Sequence, residues 1–154
     1  MKIKSYDLGN NHKQLSSVGE PQVAYYSYSS SDKQGLLLSL AKSSMELLDL
    51  VSSKTNLTIK TLSETIFEIT PKTFLKYKNS NTKLPSRLAE IAIEVNLLYD
   101  LGIDVFGSVA GFNGWLHAEN SFFGNKNPLE FLNTSTGISL IRDVLKRIEF
   151  GATA

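Results

Sequence analysis

The stretch LPSRLAEIAIEVNLLYDLG, residues 84–102, decides the fold. Pro85 and Ser86 supply a helix start. The run behind them carries Leu88, Ala89, Ile91, Ala92, Ile93, Val95, Leu97, Leu98 and Tyr99, and leaves only a narrow polar stripe through Arg87, Glu90 and Glu94. A helix apolar nearly all round must be covered on several sides, so it belongs at the centre of a core. The pattern predicts a buried central helix that closes at Gly102, with the remaining elements packed around it. Glu90 and Glu94 lie one turn apart, but with no histidine or metal-ligand company they read as a solvated face and not an acid/base pair.

Towards the N-terminus, Leu37, Leu40, Ala41, Met45, Leu47, Leu48 and Val51 recur at helical spacing, which predicts a first helix over 36–51. A shorter helix is expected over 58–66, with Ile59, Leu62 and Ile66 on one side. Thr70-Pro71 then opens a third, to about Tyr77: the threonine oxygen caps free amides and proline at the first position loses no hydrogen bond. Residues 1–33 show no helical period and read as an irregular arm, with strand-like composition from Val23 to Tyr28.

Towards the C-terminus, a short helix is expected through Ala110, Phe112, Trp115 and Leu116. Asn127-Pro128-Leu129-Glu130 reads as a capped helix start, with Asn127 as cap and Glu130 reaching back to the cap amide. A last helix begins near Thr134, presents Ile138, Ile141, Val144, Leu145 and Ile148 on one face, and ends at Gly151. With no internal repeat and no strand-patterned core, the fold class is all-α: an N-terminal arm (1–33), a helix-turn-helix-like helical domain (34–103) and, joined through the long central helix, a small helical domain (104–154).

Composition excludes several classes of function. The chain has no Cys among its 154 residues, which removes disulfides, thiolate nucleophiles and Cys-based zinc sites and fits a reducing interior. No secretory signal and no run of transmembrane length occurs, so a cytoplasmic location is expected and no membrane partner. His12 and His117 are the only histidines and stand far apart, which leaves no metal site and no Ser/His dyad. Gly102 and Gly107 have phosphate-loop spacing, but Ser108-Val109 stands where Lys and Ser/Thr are required. No cofactor site, no catalytic residue and no enzymatic activity are expected.

Charge is unevenly spread. Residues 54–90 carry seven basic and three acidic groups, whereas 91–154 carry four and seven. A locally basic segment attracts polyanions whatever the net charge. Within it, residues 57–77 have the outline of a helix-turn-helix, and Lys72, Thr73 and Lys76 fall on one face of its second helix while Phe74 points to the core. Lys60, Thr70, Lys72, Thr73, Lys76, Lys78, Lys83 and Arg87 are the candidate DNA contacts, with phosphate binding supplying affinity more than sequence discrimination. Two positions depart from the usual pattern: Glu68 stands where the turn glycine is common, and Ser63 at the small residue of the first helix.

The last third carries a more specific signature. Phe106-Gly107, Trp115-Leu116, Gly124, Pro128-Leu129, Thr134, Gly137, Arg147-Ile148-Glu149 and Gly151 follow in order and without a gap. This series resembles the toxin-binding domain of the MbcA/ParS/Xre antitoxin family, and the domain order of 36–154 is similar to that family's. Asn125, Glu119 and Lys146 depart from residues common in it, a second Gly, a Pro and a Gly respectively. The resemblance implies an antitoxin that neutralises a RES-domain toxin, an enzyme similar to ADP-ribosyltransferases that consumes NAD or uses it to modify a target. It implies a homodimer within a larger toxin–antitoxin assembly, and operator DNA as a further partner through which the operon is autoregulated. It also implies that the C-terminal segment covers the toxin's active site, which makes Lys126, Asn127, Leu129, Arg147, Glu149, Phe150, Gly151 and Ala154 the candidate toxin contacts. A helix-turn-helix regulator with no toxin partner is the alternative.

Overall fold

The computed structural model describes residues 44–80 and 82–151. The arm expected over 1–33, the beginning of the helix expected from Leu36, and Ala154 lie outside these residues. Helix α1 runs Ser44–Thr55, α2 Pro71–Asn79, α3 Ser86–Phe106, α4 Val109–His117 and α5 Ser135–Glu149. Among the described residues there is no strand, and the one extended feature is an isolated antiparallel bridge between Asn120 and Lys126. The all-α class is therefore correct.

Helix α3 is the axis of the molecule, as its sequence requires. It packs against α1, α4 and α5, and buries Leu88, Ile91, Ala92, Ile93, Val95, Leu98 and Tyr99. These residues join Leu47, Leu48 and Val51 of α1, Phe74 of α2, Phe112 and Leu116 of α4, and Ile138, Ile141, Val144 and Leu145 of α5 in one core. No single helix among the described residues is long and apolar enough to cross a membrane.

The end of α3 differs from expectation. The helix continues through Gly102 and closes at Gly107, whose φ of +75° is the left-handed conformation of a C-terminal cap. Gly102 serves close packing instead: a Cβ there would collide with the ring of Phe112. The ring sits edge-on to Tyr99, with centroids 4.9 Å apart, so α4 can approach α3 only where a side chain is missing.

Two other elements depart from the sequence reading. The helix expected over 58–66 widens into a π-helical turn at Thr61–Ile66, in which the Phe67 amide donates to the Leu62 carbonyl. The wider turn brings Phe67 into the core beside Leu62 and Ile66, all three fully buried. Pro128–Phe131 is only a 3₁₀ turn, and Asn127 makes no side-chain cap, so Glu130 has no capping box to complete. The cap at Thr70 forms as expected, accepting from the Thr73 amide, and Thr134 caps the last helix in the same way, accepting from the Gly137 amide.

Polar contacts tie the helices together. The Tyr99 hydroxyl donates to Asn113 Oδ1 at 2.7 Å, and Asn113 Nδ2 donates to the Thr55 carbonyl at 2.9 Å, joining α3, α4 and the end of α1. Burial pushes the Tyr99 pKa above its ordinary value and keeps the donor protonated.

Candidate functional site

Two surfaces collect the candidate residues. The first is the basic face around α2. Lys72 and Lys76 stand exposed on this helix, and Lys60 and Lys83 are exposed on the flanking segments. Thr70 is occupied by capping, its Oγ1 accepting from the Thr73 amide at 3.2 Å and lying 2.8 Å from Thr73 Oγ1. Lys78 turns back to Asp49 of α1 at 3.3 Å.

Arg87 is engaged on the other side. Its guanidinium donates to Glu68 Oε2 at 2.6 Å and to the Asn133 carbonyl at 3.1 Å, while Asn133 Nδ2 donates to Glu68 Oε1 at 2.9 Å. The Asn133 amide first, and the Arg87 guanidinium after it, hold the Glu68 carboxyl below its ordinary pKa against a smaller upward effect of desolvation. Glu68 has a φ of +53°, the conformation for which a glycine is the easy choice, and Ser63 is fully buried.

The second surface is built from α5 and the chain that leads to it. An aromatic series runs from Phe106 through Phe112 and Trp115 to Phe123 and Phe131, each ring within 6.1 Å of the next. It fixes the two 3₁₀ turns, Ser121–Phe123 and Pro128–Phe131, against the core. Between them Gly124 and Asn125 take φ of +66° and +61°, so Asn125, which tolerates this region, stands in for the glycine common there. Gly137 lets α5 touch the second turn: a Cβ would collide with the Phe131 carbonyl.

The expected toxin contacts separate on this scaffold. Lys126, Arg147, Glu149, Phe150 and Gly151 are exposed, and Asn127 is half-buried. Leu129 is only 8 % exposed and packs in the core, where it anchors the turn. Phe150 is 73 % exposed, an unusual position for a large aromatic side chain. The Arg147 guanidinium lies 5.9 Å from the ring centroid of Phe122. At about 100° per residue, Arg147 and Glu149 project from nearly opposite sides of the helix.

Sequence reasoning passed over Phe122 and Leu140, which are 43 % and 42 % exposed. Each left a faint signal. Phe122 and Phe123 are adjacent aromatics on a short turn, of which only Phe123 is buried; Leu140 falls outside the spacing of the buried set at 138, 141, 144 and 145.

Residues 101–151 match the family model of the antitoxin Xre/MbcA/ParS C-terminal toxin-binding domain. The matched span begins near the end of α3 and closes at Gly151, and so contains the whole second surface. No curated protein matches the chain.

Proposed function

From the match of residues 101–151 to the antitoxin Xre/MbcA/ParS C-terminal toxin-binding domain, we propose that the chain is an antitoxin that inhibits a RES-domain toxin by covering its active site with the end of α5. An antitoxin domain of this family implies a toxin partner and a regulatory role rather than turnover. The RES identity of the partner, its NAD-consuming or ADP-ribosylating chemistry, and a cytoplasmic homodimer within a larger toxin–antitoxin assembly belong to the proposal.

The observation that carries it is the exposed Phe150 that caps α5, three residues after the exposed Arg147. An aromatic side chain fills a pocket and excludes water, and a guanidinium recognises the carboxylates and phosphates that surround nucleotide sites. Arg147, Phe150, Gly151 and the tail to Ala154 supply the occluding end, with Lys126 and Asn127 at the rim. The basic face of α2 supports operator binding through Lys60, Lys72, Lys76 and Lys83, and hence autoregulation; Thr70, Thr73, Lys78 and Arg87 are already engaged within the chain.

Co-expression with the toxin encoded beside it tests the inhibitory role. The account expects growth and cellular NAD to be preserved; toxicity in the presence of soluble chain would remove it. The DNA reading expects salt-dependent operator binding that Lys72→Ala with Lys76→Ala weakens, with a salt slope shallower by about one for each phosphate that is no longer neutralised. The same binding by the double variant would remove α2 from the interface.

A further inference from the structure

Resting on the antitoxin reading above, we propose that the toxin is held by a ridge along one flank of α5, made of Leu140, Arg147, Phe122 and Phe150, and that Phe122 and Leu140 are contact residues in their own right. Within the matched span, the exposed large hydrophobic side chains are Phe122, Leu140 and Phe150. They do not scatter. Leu140 and Arg147 are seven residues apart, which places them on the same side of the helix about two turns from each other. Phe122 reaches the same flank from the neighbouring turn, since its ring lies under the Arg147 guanidinium. Phe150 follows Arg147 by one turn at the helix end.

The arrangement is what a docking hot spot needs: aromatic and aliphatic groups around one arginine, on a backbone that does not have to reorganise. The Phe122 ring restrains the long Arg147 side chain before any partner arrives, which lowers the entropy lost on binding. Asp143 lies on the same flank, so the ridge is apolar with a cation at its centre and an acid at its edge. The complementary surface is an apolar shelf bearing a carboxylate opposite Arg147, at the mouth of the toxin's active site. Glu149 projects from the other side of α5 and is outside the ridge.

Binding of the full chain to the purified, catalytically inactivated toxin, measured by calorimetry, tests this. Phe122→Ala and Leu140→Ala should each raise Kd by about tenfold or more, Phe122→Trp should restore affinity, and Glu90→Ala, on the solvated face of α3, should change it less than about twofold. Because both positions are exposed, the variants should keep the wild-type melting temperature. Radical footprinting of the wild-type complex gives a reading independent of any variant: Phe122, Leu140 and Phe150 should be protected. Wild-type chain that fails to bind the toxin overturns the antitoxin reading itself. Wild-type chain that binds while Phe122→Ala and Leu140→Ala bind equally well, or while Phe122 and Leu140 stay unprotected, overturns the ridge alone.

Discussion

Single glycines set how closely the pieces approach, and each does so differently. Gly107 and Gly151 take left-handed conformations that end helices, whereas Gly102 and Gly137 remove a side chain where another element must touch. The two roles look alike in a sequence, which is why Gly102 reads as a helix end although α3 continues for a further turn. Its packing role depends on Phe112, ten residues away, and no local pattern announces that. The same blindness applies to Phe122 and Leu140, whose exposure is a property of the assembled surface. Gly137 gives the sharper test, because an added methyl would strike a backbone carbonyl that cannot rotate away. Gly137→Ala should destabilise the chain by about 1–3 kcal/mol in urea unfolding. An unchanged midpoint would mean that α5 does not sit against the Pro128–Phe131 turn as described.

Elements join through a small number of polar contacts, and the Arg87–Glu68–Asn133 cluster is the most telling of them. It links the turn before α2 to the residue preceding the Thr134 cap of α5, so the basic face and the span that matches the family model share a joint. The cap at Thr70 was legible because a cap is a local event between residues three apart. Asn127 misled because a proline-led 3₁₀ turn offers the same residues without a helix behind them. The cluster itself brings residues 68, 87 and 133 together and has no local signature. Its Glu68 carboxyl titrates below its ordinary value, so the stabilisation it lends is complete above about pH 4.3, the unfolded carboxyl value, and is lost as pH falls through the lower folded value. The side chains of Arg87 and Glu68 are about half exposed, 51 % and 50 %, so solvent screening keeps the effect small. Glu68→Gln should remove that contribution, lowering stability slightly near neutrality while leaving it unchanged at low pH, so that the acid limb is shallower than in wild type. An acid limb identical to wild type would show that the cluster does not form in solution.

For the whole molecule, α3 explains both the unity of the core and the rigidity of the surface it presents. It was legible because near-continuous hydrophobicity over 20 or so residues has one economical solution in water, burial on all sides. The resemblance to the antitoxin toxin-binding domain was legible in the order of Phe-Gly, Trp-Leu, Pro-Leu, Thr, Gly and Arg-Ile-Glu, and the family match over 101–151 agrees with it. What the order of residues left open was which of these positions face outward: Leu129 turned in, Glu149 turned away from Arg147, and Phe150 was left in water. The central claim is that the outward-facing end of α5 stops another protein's chemistry. It is tested most directly by measuring NAD consumption by the purified toxin against increasing chain, wild type beside an Arg147→Ala, Phe150→Ala variant with an unaltered melting temperature. The account predicts that wild type abolishes turnover and that the variant leaves most of it intact; a folded variant that inhibits as fully as wild type would contradict it.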